Sequence, residues 1–536
     1  MTGSAPHDYY SGIPQGARLQ DAAGALRDGQ IEVAERLLRS HLDLHPRDVN
    51  ALKMLAEVAV RCHAREDAEQ LLAECLQIAP DFKAARYRYA QILFELNKGR
   101  KAVVEIEKLL LENPHNPECL SLKAVALAQA GEFEQAISCH EKLLRDHPEY
   151  PGFWLNYASD LRAMGRQRDS IAAYRSAIER FPGLAEAYWS LGNLKTFRFE
   201  PAEIAAMQSE LSKPGVSDRD RSLLHFALGK VFEDAQNYEV SFNHYLNANS
   251  LRQLAVEHDA ERTSHEFGEL KKMFSAAFFA NRIGTGCASP DAIFIVGLPR
   301  SGSTLLAQIL SSHPAIEATA ELMNINAIAD RLDGPYPQAL DELGPGALEA
   351  LGEEYLEDTR ALRALGRPFF IDKMPDNFRH VGLIHAILPR AKIIDMRRHP
   401  LACGFSNFKQ DFEASYTFAN SLTDFARYYC DYVDLMAHFD RVLPGKIHRL
   451  HYERLIENPE DEIRSVLTYL GLPFDERCLR FHENGQAITT ASSEQVRTPL
   501  FKDAVEQWRN YEPWLGSLKF ALGLVLAFYP DIPPFT

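Results

Sequence analysis

The 536-residue chain is too long for one ordinary hydrophobic core, so about two to four domains are expected. Its 46% hydrophobic and 25% charged content matches soluble globular averages and excludes a chain disordered throughout. A formal net charge of −16 argues against a general nucleic-acid binder while leaving room for a basic pocket. The eight cysteines, at 62, 75, 119, 139, 287, 403, 430 and 478, include no C-x-x-C pair. That removes zinc-ribbon and thioredoxin-type sites and suits a reducing compartment. The opening MTGSAPHDYYSG has no apolar signal core, and no run of about 18 apolar residues occurs. The expectation is a cytoplasmic protein with neither a membrane span nor a nucleic-acid partner.

From residue 17 the chain repeats. Prolines fall at Pro46, Pro80, Pro114, Pro148 and Pro182, each interval 34 residues. Ala34, Ala68, Ala102, Ala136 and Ser170 form a second series, and Gly29, His63, Asn97, Gly131 and Gly165 a third, with the same step. Gly, Asn and His tolerate positive φ, which suits a tight turn between two helices. Five residues on, the small residue lets the paired helices approach closely, and the proline ends the hairpin or opens the next. The array resembles the tetratricopeptide repeat, whose period is 34. "YWSLGNL", 188–194, is similar to that family's W-x2-L-G region, with Trp189 displaced by one. Five repeats are expected over about 17–184. A looser sixth is read at 223–251, beyond the register-breaking "RFEPAEIAAMQSELSKPGVSDRDR". Such a superhelix implies a concave surface for a peptide or protein, or alternatively a scaffold or homodimer surface.

From about 290 the periodicity changes. "AIFIV", "PFFID", "AKIIDM" and "KIHRLHY" read as short strands, and helical patterns intervene. That order predicts a parallel sheet covered on both faces, with ligands at the carboxyl ends of its strands. The first strand runs into Gly297-Leu-Pro-Arg-Ser-Gly-Ser-Thr304, a phosphate-loop pattern in which Ser303 replaces the lysine of G-x-x-x-x-G-K-[ST]. Gly302 permits close backbone approach, and the helix beginning near Thr304 attracts an anion. The loop therefore reads as a phosphate cradle without a metal-bound triphosphate.

P-[RK]-S-G-[ST]-[ST] after a strand resembles the 5′-phosphosulfate loop of sulfotransferases, which use 3′-phosphoadenosine 5′-phosphosulfate (PAPS) and no metal. The resemblance implies that Arg300 faces the phosphosulfate beside the amides of Ser301, Gly302, Ser303 and Thr304. "MRRHPLACGFSNF", 396–408, is similar to the family's 3′-phosphate element, with Arg398, Pro400 and Ser406 in the R-x-P…S spacing; a guanidinium suits bidentate phosphate binding. Arg397 is the neighbouring charge, read equally well as a solvated arginine. "HYERLIENPE" resembles the Y-E-x-L segment, which implies Tyr452 near the nucleotide. "SSEQVRTPLF" resembles a stretch of the tyrosylprotein sulfotransferases, which implies Ser492 at the nucleotide. Thr498 stands in place of that stretch's lysine, leaving Arg497 or Lys502 as the basic contact.

For the proton acceptor, "IDKMPDN" keeps Lys373 but has proline where small-molecule sulfotransferases carry histidine. "HPAIEATAEL" aligns Glu321 with the second glutamate of the tyrosylprotein enzymes' H-P-x4-G-E-E. The resemblance thus implies Glu321 as general base, with Lys373 and Arg300 stabilising charge on the transferring group. Met323 occupies the place of an arginine in that family.

Histidines 380, 385, 399, 448 and 451 form no metal-ligand pattern. The aromatics of "SLTDFARYYCDYVDLMAHF" are read as core.

The expected architecture is an all-α tetratricopeptide-repeat solenoid followed by an α/β, P-loop-like, three-layer sulfotransferase domain with a parallel sheet. Its boundaries are a flexible stretch at 1–16, repeats at 17–252, a helical linker at 253–289 and the transferase domain at 290–536. The expected activity is PAPS-dependent sulfation of a hydroxyl, with adenosine 3′,5′-bisphosphate as product and a tyrosine-like peptide or protein acceptor. A carbohydrate or small-metabolite enzyme, a nucleotide kinase, and an adaptor with a vestigial nucleotide domain are the alternatives.

Overall fold

The computed structural model describes residues 17–319, 321–360, 362–363, 365–413, 415–484, 500 and 503–535. The chain divides into two compact units, residues 1–181 and 182–536. That division falls inside the stretch whose sequence reads as repeat domain.

The first unit shows ten helices among its described residues, from Ala17–Arg27 to Gln167–Arg180, paired as hairpins. Its period has a backbone cause. Gly29, His63, Asn97, Gly131 and Gly165 all adopt positive φ, between 57° and 80°. Each reverses the chain between two helices, in the region glycine enters freely and Asn or His at modest cost. Five residues later Ala34, Ala68, Ala102, Ala136 and Ser170 are all fully buried, so the helices touch where no larger side chain fits. Pro46, Pro80, Pro148 and Pro182 each come directly after the residue that closes a helix. The core is correspondingly local. Small clusters form between sequence neighbours, such as Leu19, Ala34, Leu38 and Leu55, or Ala90, Ile106, Leu109 and Cys119.

The second unit begins with six helices, Ala185–Asn193, Pro201–Ser212, Asp218–Asp234, Tyr238–Ala255, Ala260–Met273 and Ala276–Ala280. The pair Asp218–Asp234 and Tyr238–Ala255 repeats the hairpin chemistry of the first unit. Gln236 takes φ 57°, and five residues on Ser241 is fully buried. Ser241 Oγ donates to the Gly229 carbonyl at 2.7 Å, as Ser170 Oγ donates to the Ala158 carbonyl at 2.7 Å, each bond spanning 12 residues.

Five parallel strands come next: β1 (Ala292–Gly297), β2 (Ile316–Ala318), β3 (Phe369–Asp372), β4 (Lys392–Arg397) and β5 (Ile447–His451), in the order β2-β3-β1-β4-β5. Four coincide with the predicted runs. β2 is an addition: three residues carrying a buried Glu317, whose carboxylate accepts from Arg363 Nε at 3.0 Å and from the amides of Leu365 and Arg367.

β1 shows why the strand reads as unbroken hydrophobicity. Ala292, Phe294 and Val296 face a cluster with Phe226, Tyr245, Phe267 and Phe274, whereas Ile293 and Ile295 face Leu306, Ile309, Leu450 and Val466. One layer over the sheet is thus built partly from helices that precede the strands. Among the aromatics of Leu422–Val442, Tyr428, Tyr429 and Tyr432 are buried in that layer. No helix among the described residues is long and apolar enough to cross a membrane.

Candidate active site

The predicted residues that the structure describes line the carboxyl edge of the sheet in strand order. Glu321 lies beyond β2, Lys373 after β3, the 297–304 loop after β1, Arg398 after β4 and Tyr452 after β5. Neighbouring strands stand about 4.8 Å apart, so consecutive loops are within reach of one ligand.

The loop after β1 is closely fitted. Gly297 (φ 141°) passes so near β4 that a Cβ would stand 2.5 Å from the Met396 carbonyl oxygen. Arg300 holds a left-handed φ of 65°, a conformation costly for a non-glycine residue and concentrated at functional sites. Gly302 (φ 104°) closes the turn, and a Cβ there would meet Tyr452 Cδ2 at 2.6 Å. The helix Ser303–Ser311 starts immediately. Its first amides and the buried Ser301 hydroxyl, which has no hydrogen-bond partner among the described residues, make a cradle suited to an anion.

The two predicted anion elements meet. Arg300 Nε donates to Ser406 Oγ at 3.2 Å, and an Arg398 guanidinium nitrogen donates to the Arg300 carbonyl at 3.2 Å. Arg398 also lies 4.8 Å over the Tyr452 ring. Asn407 Nδ2 donates to the Pro299 carbonyl at 2.8 Å, tying the helix after β4 to the loop after β1. The Arg300 side chain therefore reaches from the first element to the second. Burial, with Arg398 beside it, pulls its pKa down to about 10.

Arg397 is not a solvated arginine. It is buried and donates to Asp395 at 3.0 Å. Asp395 also accepts from Arg449 at 3.1 Å and from the Tyr432 hydroxyl. Burial works to raise this carboxyl, but the two guanidiniums outweigh it and hold it below the usual range.

Glu321 and Lys373 form an ion pair, the lysine side chain 8% exposed and the carboxylate 44%. A buried ammonium beside a reachable carboxylate is an arrangement an acceptor hydroxyl can enter. Burial pushes the adjacent Asp372 up to about 7, against a 2.8 Å hydrogen bond from the Tyr355 hydroxyl. Met323 is 46% exposed. Ser492, Arg497 and Lys502 lie outside the described residues. No cluster of three metal-ligating side chains occurs among the described residues.

Residues 290–476 match the family described as "Sulfotransferase family", and residues 17–152 match "Cytochrome c-type biogenesis protein H TPR domain". A sulfotransferase-family domain follows a tetratricopeptide-repeat domain in this chain. An uncharacterized protein of Aquifex aeolicus (strain VF5) is 27% identical over 444 residues, 80% of this chain and 58% of that protein. The nodulation protein NoeE of Sinorhizobium fredii (strain NBRC 101917 / NGR234) is 29% identical over 43% of this chain and 61% of that protein. Protein-tyrosine sulfotransferase 1 of Danio rerio is 27% identical over 40% of this chain and 65% of that protein. The chain thus spans about three-fifths of the length of these curated relatives.

Beside Arg300, Arg398, Ser406 and Tyr452 opens a cavity of about 300 Å³. Its other wall carries Lys195, Lys230 and Glu233, which lie before the sulfotransferase-family region, and Lys409. Sequence reasoning missed all four. Only Lys409 had a local signal, lying one position beyond the helix Pro400–Phe408 and three after Ser406.

Proposed function

We propose that this chain is a PAPS-dependent sulfotransferase acting on a hydroxyl of a peptide or protein. The observation that carries the reading is the direct bridge between the two anion elements, Arg300 to Ser406 and Arg398 to the Arg300 carbonyl, at the ends of adjacent parallel strands. A nucleotide phosphorylated at both ends needs two such cradles at fixed separation. The Ser301 hydroxyl, without a partner among the described residues, the glycine-lined turn and the cation-rich cavity fit that group.

In this reading Ser301 to Thr304 and Arg300 hold the 5′ end of the donor, Arg398 and Ser406 the 3′-phosphate, and Tyr452 the nucleotide. The acceptor oxygen forms a bond to sulfur as the bond from sulfur to the phosphate-bridging oxygen breaks, and adenosine 3′,5′-bisphosphate leaves. Glu321 takes the acceptor proton, while Lys373 and Arg300 balance charge on the sulfuryl group and the departing oxygen. No metal is required, because the donor has no γ-phosphate to neutralise. The eight free cysteines fit a reducing, cytoplasmic setting. The repeats favour a peptide or protein acceptor. A carbohydrate acceptor is a second reading, favoured by Met323 in place of the arginine of the tyrosylprotein enzymes.

Calorimetry with adenosine 3′,5′-bisphosphate tests the donor site, with an expected Kd in the micromolar range or below. Glu321→Ala is expected to retain that binding and to lose about 10²–10⁴-fold in transfer of labelled sulfate. A folded sample giving no heat overturns the donor reading, and unchanged turnover removes Glu321 from its role.

A further inference from the structure

The cavity beside Arg300 and Ser406 has a wall that the sulfotransferase-family region does not supply. Lys195 and Arg198 come from the segment after the helix Ala185–Asn193, and Lys230, Glu233 and Asp234 from the helix Asp218–Asp234. Among the described residues six cations line the space, Lys195, Arg198, Lys230, Arg300, Arg398 and Lys409, against two carboxylates, Glu233 and Asp234.

The carboxylates are already engaged. Lys409 Nζ lies 2.9 and 3.1 Å from the two Glu233 oxygens, and the Tyr245 hydroxyl donates to Glu233 at 2.9 Å. Lys230 pairs with Asp234, and Arg198 stands 3.3 Å from it. Burial works to raise Glu233, but Lys409, Lys230 and Lys195 outweigh it and bring it to about 2. Lys195 itself makes no ion pair within 4 Å among the described residues. It faces Arg300, Lys409 and Lys230 as like charges and Glu233 as its opposing one. Burial and those neighbours bring it down to about 7. A walled cavity holding surplus cations is unfavourable until an anion enters.

We propose that Lys195, supplied from outside the sulfotransferase-family region, is a ligand of the donor's 3′-phosphate. This rests on the PAPS reading above.

Two observations select the 3′ end. Lys195 shares the cavity with Ser406, Lys409 and Gln410 and with Arg300, whose side chain reaches Ser406, while none of Ser301 to Thr304 lines it. The 3′-phosphate is also a monoester, mostly dianionic at pH 7, whereas each half of the 5′-phosphosulfate carries one charge. The greater excess of positive charge matches the more highly charged group. The titratable groups that line the cavity with Lys195, among the described residues, are Arg198 on its own segment, Lys230, Glu233 and Asp234, Tyr245, Arg300, Arg398, Lys409 and Tyr452. Lys195 changes charge at about pH 7. A bound dianion favours its ammonium form, so binding takes up a proton above about pH 7 and weakens as pH rises.

The test compares adenosine 3′,5′-bisphosphate with adenosine 5′-monophosphate by calorimetry on the full chain. Lys195→Met is expected to weaken the bisphosphate about tenfold to a hundredfold and leave the monophosphate unchanged. Lys195→Arg is expected to retain most of the affinity. Wild-type affinity for the bisphosphate is expected to fall by up to about tenfold per pH unit above pH 7, with the Met variant lacking that component. Without nucleotide the Met variant is expected to melt higher than wild type, since an unpaired charge has been removed from the cavity. Unchanged bisphosphate affinity in the Met variant, or equal losses for both nucleotides, overturns the proposal. A wild-type chain that fails to bind the bisphosphate overturns the donor reading itself, and that result is visible before any substitution is made.

Discussion

The hairpins of residues 17–180 and the hairpin Asp218–Asp234/Tyr238–Ala255 share one local chemistry and use it for different ends. Both turn on a residue with positive φ and both place a small, fully buried residue five positions later. In the first unit those contacts close clusters between sequence neighbours. In the second, Phe226, Phe242 and Tyr245 enter the cluster that also holds Phe294, Phe405, Tyr432 and Tyr511. A repeat motif is thus a rule for joining two helices. Which surface the pair then covers is decided by the neighbouring elements: another hairpin in the first unit, a sheet in the second.

The largest expected effect comes from cutting the chain at the two boundaries. A chain beginning at residue 182 keeps the aromatic layer and the Lys195 wall, and is expected to fold and to bind adenosine 3′,5′-bisphosphate. A chain beginning at residue 290 respects the family boundary but loses Phe226, Phe242, Phe267, Phe274 and Phe278. Each buried phenylalanine removed costs about 3–5 kcal/mol, and five together exceed the stability of a typical domain. It is expected to be insoluble or to give no cooperative melt by circular dichroism. Cooperative unfolding of that shorter chain would break the distinction between the two kinds of hairpin.

Next come two glycines with positive φ, one in each region. Gly302→Ala places a Cβ 2.6 Å from Tyr452 Cδ2 and 2.9 Å from Met396 Cε, so the ring beside the proposed nucleotide loop must move. A shift of that order is expected to cost about a hundredfold in transfer. Gly131→Ala meets nothing within 4 Å, and His63 and Asn97 already occupy the equivalent turn. It is expected to cost about 1 kcal/mol of first-unit stability and to leave nucleotide binding unchanged. Denaturant melts and calorimetry on the same two variants check both halves.

Legibility in the sequence divides the same way. The repeats were legible because each hairpin needs the same backbone turn and the same small contact, so the requirement recurs every 34 residues. Four strands were legible because burial on both faces demands continuous apolar runs. The two stretches proposed as anion elements stand out in the sequence because each is a local stretch at the end of one strand. β2 was not, since three residues with a charged centre carry no periodic signal, and Glu317 is satisfied by partners 46 to 50 residues away. Arg397 was ambiguous because the second arginine on its carboxylate, Arg449, lies on another strand. Lys195 carried no signal at all. It sits just past a helix end in the stretch where the repeat register fails, and only tertiary packing brings it to Arg300.

The smallest expected effect concerns the two serines that hold the equivalent hairpin position. Ser170 and Ser241 each donate to a carbonyl 12 residues earlier, and both are fully buried. Four other repeats place alanine there. Ser170→Ala therefore removes one neutral hydrogen bond at a site built for a methyl group, and is expected to cost about 1 kcal/mol or less. Ser241 has a second partner, the Tyr511 hydroxyl at 2.9 Å, from the segment that packs under the helix after β4. Ser241→Ala withdraws a partner from a buried phenol as well as from a carbonyl, so its expected cost is larger, about 1–3 kcal/mol. Ser170→Ala should be read in the melting transition of the first unit and Ser241→Ala in that of the second. Equal costs for the two serines would mean that Tyr511 draws nothing from the hairpin, and that the aromatic layer holds it through packing alone.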